Sequence, residues 1–163
     1  MAITMAPFYN VNARVGPGGA NNPTDVMLVQ YMLFTICIQP RPHWDKQSNI
    51  FTPTAPDCGP GAIFPYTGVY APELERWIRN FQETANQRGY GPLTVDGRVD
   101  PAPVGWGKPS GGGGPKWYTL QALNRLLYAF NPDSFANFPN LSDVPGPLAA
   151  ALNSAQFISV RAA

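Results

Sequence analysis

Ionisable side chains are scarce in this sequence. Charged residues make up 13% of the 163 residues, against roughly a quarter in an average protein. The formal net charge is +1, and the Lys and Arg residues are scattered singly, so no basic stripe is present to neutralise a phosphate backbone. We therefore expect no nucleic-acid partner. The same neutrality argues against electrostatic docking on an anionic membrane.

Histidine is nearly absent too, because His43 is the only one. No second histidine or cysteine cluster accompanies it to complete a zinc site, and no Gly-x-Ser-x-Gly elbow accompanies it to form a nucleophile–base arrangement. The acidic residues are few, and nothing in their spacing selects a pair for acid–base hydrolysis. The residues predict a protein that is not an enzyme and has no catalytic residue and no metal site.

A glycine-rich stretch invites comparison with a phosphate-binding loop. It contains Gly107-Lys108 and the run Gly111 to Gly114. Pro109 follows the lysine, where such a loop needs Ser or Thr to bind magnesium, and Ala102 stands where its leading glycine belongs. The stretch is therefore interpreted as a linker, and we expect no nucleotide and no other cofactor.

Cysteine and long apolar runs are also scarce. Cys37 lies in an apolar run and is expected to be buried, with a disulfide to Cys58 as the open alternative. The most apolar segment, Val26 to Ile38, is shorter than the roughly 20 residues that span a bilayer. Met1 to Val15 lacks the basic and apolar parts of a Sec signal. We expect no membrane span and cytoplasmic synthesis, with a virion or extracellular particle as one destination.

Glycine and proline are abundant instead, with 16 Gly and 19 Pro, and they divide the chain. Residues 1–23 are expected to form an extended arm, either frayed or lying across a neighbouring subunit. A helical domain is expected over 24–130, with loop insertions at 39–69 and 101–116. Residues 131–163 form a C-terminal extension that contains a short helix from Leu148 and an edge strand near the end.

Three segments have helical patterns, so the predicted fold class is mainly α. The first begins at Thr24 or Asp25, which can cap it, and ends before Pro40; its apolar residues cover nearly the whole circumference. The second begins at Pro72, and its apolar stripe predicts core residues at Leu74, Trp77, Ile78, Phe81 and Ala85. The third runs from Trp117, which is also predicted to lie in the core, to Phe130.

The second helix and the segment after it resemble a known family. The helix has Phe81-Gln82 in its second half, and the extended segment that follows turns at Asp96-Gly97. Upstream, the same order of a glutamine on a helix and then a turn with glycine occurs at Val29-Gln30 and Thr67-Gly68. The pattern resembles the peptidoglycan-binding-like domain over residues 24–130, although Thr67 stands where that family has Asp. The glutamine after each core aromatic residue is expected to bind a loop backbone at the end of the helix.

The resemblance implies a compact three-helix core and a cell-wall ligand. Exposed aromatic rings would contact such a ligand or another partner. The candidates are Trp44 and Trp106, which lie in loops, and Tyr70 and Tyr90, which flank the second helix. The residues expected to form the turn and the core are Asp96, Gly97, Trp77, Phe81 and Gln82.

Two functions are compatible with the sequence. The first is a structural subunit of a larger particle, such as a phage, a tail-like assembly or a filament, whose partners are its own copies or neighbouring subunits. Low charge and Pro/Gly-rich arms favour it. The alternative is a stand-alone module that binds peptidoglycan, as the family resemblance implies.

Overall fold

The computed structural model describes residues 6–37, 44, 66–109, 116–153 and 158–160, and for the last three only the backbone. The fold is mainly α. Five helices account for it: α1 (Pro23–Cys37), α2 (Pro72–Gln87), α3 (Thr119–Phe130), α4 (Pro132–Ala136) and α5 (Gly146–Leu152). A single 3₁₀ turn, Phe138–Asn140, joins the last two. Strand β1 (Pro7–Tyr9) pairs antiparallel with β2 (Ile158–Val160).

Helix α1 is the centre of the fold. Every residue from Asp25 to Leu33 is buried, in agreement with the apolar circumference of this segment. Helix α2 presents one stripe to the core, where Trp77 and Phe81 are buried, while Glu75 and Arg79 pair on its outer side at 3.2 Å. Helix α3 packs on α1 and buries three leucines of its stripe, Leu120, Leu123 and Leu127.

The side chain of Gln82 joins α2 to the following turn. Its Oε1 accepts hydrogen bonds from the backbone N–H groups of Asp96 and Gly97 at 3.0 and 2.9 Å. Its Nε2 donates to Asp96 Oδ1, to the Arg98 carbonyl and to Thr119 Oγ1, all within 3.1 Å. Gln82 is fully buried, so these bonds form away from competing water. One side chain therefore holds α2, the turn and the start of α3 together.

Gln30 on α1 makes the equivalent arrangement with the earlier turn. Its Oε1 accepts from the Gly68 N–H at 3.0 Å, and its Nε2 donates to Thr67 Oγ1 at 3.1 Å. Thr67 Oγ1 also accepts from the N–H two residues on, at 3.1 Å, as Asp96 Oδ1 does from the Arg98 N–H at 2.9 Å. The Thr67 hydroxyl thus replaces the carboxylate oxygen that Asp96 supplies in the second turn.

Both turns need glycine. Gly68 and Gly97 have φ values of +69° and +72°, which other residues rarely adopt. A Cβ at Gly68 would lie 2.9 Å from the Pro23 carbonyl oxygen, and one at Gly97 would lie 2.7 Å from Glu75 Cγ. The two turns therefore approach their helices at distances that only glycine permits.

Residues 6–22 of the N-terminal segment pack on this domain, which corrects, for these residues, the expectation of an arm that frays or lies across a neighbour. Phe8 and Tyr9 are buried, and Val15 forms a β-bridge with Val99. Its backbone is satisfied by buried polar side chains: Asn124 of α3 bonds to both the N–H and the C=O of Tyr9, each at 2.9 Å. An extended segment with this many backbone partners forms part of the core.

Asp25 has a different role from the predicted helix cap. It is the third residue of α1 and is fully buried. Its two carboxylate oxygens accept hydrogen bonds from the N–H groups of Asn12 and Ala13, at 2.9 and 3.1 Å. The carboxylate therefore holds the N-terminal segment against α1 and does not cap its own helix.

The C-terminal extension also contributes to the core. The ring of Phe138 lies 4.9 Å from the ring of Tyr9 and 4.8 Å from the ring of Tyr31, measured between centroids. Phe135 packs on Tyr9 at 4.9 Å, and Leu148 and Leu152 are buried. Aromatic pairs at these distances add about 0.5–1.5 kcal/mol each beyond the area they bury. Residues between Phe135 and Leu152 therefore belong to the same core as Phe8 and Tyr9.

Replacement of Gln82 by methionine tests the first of these junctions. Gln82→Met keeps the length of the side chain but leaves the buried N–H groups of Asp96 and Gly97 without their acceptor. Each unsatisfied buried group costs about 1–3 kcal/mol, so we expect the free energy of unfolding in urea to fall by about 3 kcal/mol. Gln87→Met, at the exposed end of the same helix, is the matched control, and equal losses in the two variants would contradict the account.

The buried hydroxyl of Tyr9 is expected to make the stability of the fold depend on pH in the alkaline range. Burial raises its pKa above the ordinary value of 10.0, and the hydroxyl donates a hydrogen bond to the Phe135 carbonyl. The folded state therefore keeps this proton more tightly than the unfolded state, and the stabilisation is lost as pH rises above about 10. In denaturant titrations, we expect Tyr9→Phe to be less stable than the parent at pH 7. The gap narrows at pH 11, whereas a constant gap would contradict the assignment.

Candidate functional site

An aromatic cleft lies where the loop after α2, the loop before α3 and the outer face of α3 meet. Its volume is about 430 Å³, within the range of small-ligand sites. We call this region the aromatic cleft; it is lined by Tyr90, Trp106, Trp117, Arg125, Tyr128 and Ala129. The four rings are all half-buried, so their remaining surface faces the cleft and solvent.

Trp106 is fixed in place from behind. Its indole N–H points to the backbone carbonyls of Ala6 and Pro7, at 3.2 and 3.1 Å. The loop that carries it is held by Gln121 Nε2, which donates to the carbonyls of Gly105 and Gly107 at 2.8 and 2.7 Å. Because its N–H is already used within the protein, Trp106 offers a ligand only the apolar part of its ring.

Tyr90 is positioned in a similar way. The side chain of Asn86, near the end of α2, bonds to both the N–H and the C=O of Leu93, at 2.7 and 3.0 Å. This contact closes the loop on which Tyr90 lies. The segment before α3 is tied to the same loop, because the backbone N–H of Trp117 donates to the Pro92 carbonyl at 3.0 Å. The cleft rings thus lie on loops that are tied to helices, a pre-organised arrangement.

Arg125 is the only charged side chain among the described residues that line the aromatic cleft. Its guanidinium carbon is 5.8 Å from the ring centroid of Tyr90 and 5.8 Å from that of Trp117. These distances are typical of cation–π contacts, and Arg stacks on such rings through its plane. Among the described residues, no ion pair engages Arg125. The cleft therefore combines apolar ring surfaces with one exposed cation.

A second, smaller cleft adjoins the first across Trp117. Its volume is about 250 Å³, and its lining is mainly polar, comprising Thr94, Asp96, Arg98, Asp100, Lys116, Trp117, Tyr118 and Thr119. Two of its carboxylates are already engaged, because Asp96 accepts from Gln82 and Asp100 pairs with Arg14. The Nε of Arg98 is buried without a hydrogen-bond partner in the described structure. Asp96 and Asp100 thus line the smaller cleft, and no acidic residue is among the described residues that line the aromatic cleft.

Two of the four predicted contact residues, Tyr90 and Trp106, meet in the aromatic cleft, and two do not. Trp44 is 2% exposed, and its indole N–H donates to the Tyr31 hydroxyl at 3.2 Å, so the prediction of an exposed loop ring is corrected. Tyr70 precedes α2 whereas Tyr90 follows it, and 16 residues at about 1.5 Å each separate them by about 24 Å along the helix.

The hydroxyl of Tyr70 is occupied by a neighbour. It donates to Glu75 Oε2 at 3.2 Å. Partial burial, together with the charge of Glu75, raises the pKa of Tyr70, so the phenol stays protonated at neutral pH. The Tyr70 hydroxyl therefore bonds within the protein, near the N-terminal end of α2 and away from the aromatic cleft.

Four cleft residues were not predicted as contacts. Trp117 was expected in the core as the first apolar residue of the third helix. However, α3 begins at Thr119, and Trp117 lies before it, half-buried between the two clefts. Arg125 and Tyr128 are three residues apart on α3 and share a face with Ala129. That spacing, on the polar side of an otherwise apolar helix, is the signal that could have identified them.

The remaining chemical predictions concern metal ions, the two cysteines and membrane spans. Within the described ranges, no group of three or more His, Cys, Asp or Glu side chains is arranged to hold a metal ion. His43 and Cys58 lie outside those ranges. Cys37 is buried, as expected, and the alternative of a disulfide to Cys58 falls outside the described residues. No helix in the described part of the chain is long and apolar enough to cross a membrane.

Comparison of the chain with family models, with curated proteins and with solved structures finds no match.

Proposed function

We propose that this chain is a non-catalytic glycan-binding module of peptidoglycan-binding-like type, which holds a polysaccharide in the aromatic cleft. The observation that carries the proposal is the set of half-buried rings on one face: Tyr90, Trp106, Trp117 and Tyr128. Sugar rings have flat C–H faces that stack on such surfaces, while their hydroxyls remain hydrated at the rim.

The resemblance supports the same proposal. In the family, a glutamine on each of two helices precedes a turn containing glycine. Here Gln30 and Gln82 bind the turns at Gly68 and Gly97 through matching sets of hydrogen bonds. Peptidoglycan is therefore the first polysaccharide to test. The N-terminal segment, which had favoured assembly, is used within the domain and adds less support to the subunit hypothesis.

A sedimentation assay on insoluble glycan tests the proposal. We expect the chain to be retained by purified peptidoglycan sacculi at physiological salt. Loss of one stacking ring, in Tyr90→Ala or Trp117→Ala, is expected to weaken binding at least about 10-fold, equivalent to about 1.4 kcal/mol.

Tyr70→Ala is the matched control, because it removes an identical ring at the other end of α2. Circular dichroism on each variant verifies that the fold persists. The proposal fails if the parent binds neither sacculi nor soluble oligosaccharides. It fails equally if Tyr70→Ala weakens retention as much as the two cleft variants do.

The second candidate function is a structural subunit of a particle. The observation that favours it is an exposed apolar side chain: Val69, beside the Thr67-Gly68 turn, is 65% exposed on a surface poor in charge. The buried centres of contacts between subunits are apolar and depleted in charged residues.

Sedimentation velocity over a wide concentration range tests this second candidate. Self-assembly predicts species heavier than 17.7 kDa that increase with concentration, and Val69→Asp shifts them toward the monomer. A monomer at every concentration would exclude assembly of this chain with itself.

A further inference from the structure

We propose that the glycan bound in the aromatic cleft is an acidic one, whose sugar carries a free carboxylate that pairs with Arg125. This inference rests on the proposed function and specifies its ligand class. It starts from the composition of the cleft, where four rings and one guanidinium occur without an acidic side chain. A ligand that fills this space must cover apolar faces and can neutralise one positive charge.

The position of Arg125 argues for recognition of an anion. Its guanidinium carbon lies 5.8 Å from the ring centroid of Tyr90 and 5.8 Å from that of Trp117. No described side chain pairs with it, and the residue is exposed. A guanidinium in this setting has N–H groups available for two parallel hydrogen bonds to a carboxylate.

The charge balance favours a monoanion over a phosphate group. Arg125 is the single cation among the described residues that line the aromatic cleft, while Lys116 and Arg98 lie in the adjoining polar cleft with two carboxylates, Asp96 and Asp100. A carboxylate bears one negative charge, whereas a phosphate monoester bears about 1.5 to 2 and would leave charge unpaired near those carboxylates. The chemistry therefore fits a uronic-acid-type sugar ring, stacked on the rings with its carboxylate at Arg125.

A matched pair of ligands isolates the carboxylate. Tetragalacturonic acid and its fully methyl-esterified form share the same sugar rings and differ in charge. By isothermal titration calorimetry, we expect the acid to bind at least about 10-fold more tightly than the ester, as loss of a charged hydrogen bond predicts. The preference declines as salt is raised, because the pair lies at the surface.

Two variants assign the preference to this side chain. Arg125→Gln removes the cation and is expected to bring the acid down to the affinity of the ester. Arg88→Gln removes an equal charge at the exposed end of α2, outside the cleft lining, and is expected to keep the preference. Arg125→Lys retains the charge without the planar guanidinium and is expected to keep only part of the preference for the acid.

The outcomes separate this inference from the proposed function. Equal affinity for the acid and the ester would overturn the inference and leave glycan binding in place. A preference that survives Arg125→Gln would also overturn it. If a sugar phosphate competed more strongly than glucuronate, the inference of a carboxylate would be overturned in favour of a phosphate group. If neither oligosaccharide nor sacculi bind, the proposed function fails together with the inference.

Discussion

The buried carboxamide of Gln82 is the interaction on which the rest of the fold depends. It satisfies the backbone of the turn at Asp96-Gly97 and also reaches Thr119 at the start of α3. Helices in small domains usually join through apolar contact alone, which leaves intervening loops free to move. Here one amide links two helices and the turn between them. A similar bond from Gln30 to the Gly68 N–H recurs at the earlier turn, and both glycines have positive φ.

Carboxamides also replace the sheet that this chain nearly lacks. Asn10, Asn86 and Asn124 each bond to both the N–H and the C=O of one distant residue, as a neighbouring strand would. A sequence with 16 Gly and 19 Pro has much backbone outside helices, and its buried polar groups need partners. These amides supply them without a strand. They also hold the loops of Tyr90 and Trp106, so the cleft depends on the same interaction.

Sequence reasoning located what depends on local pattern. The stripe of α2, its start at Pro72 and the turn at Asp96-Gly97 follow from periodicity and turn chemistry, and the bond from Gln82 to that turn was anticipated. Contacts between residues far apart in the sequence could not be predicted in this way. Nothing near Phe8 or Asp25 indicates that a carboxylate would hold the N-terminal segment in the core. Trp44 looked exposed because proline surrounds it, although its ring is buried against Phe138.

Amide hydrogen exchange at the Asp96-Gly97 turn tests the central claim most directly. These two N–H groups lie in a loop, and their acceptor is the buried oxygen of Gln82. If that side chain joins the helices, both amides open only with the core, so they exchange at rates close to those of the α2 interior, such as Phe81. Exchange of both amides at the rates of unprotected loop amides, in a chain whose α2 interior remains protected, would contradict the account.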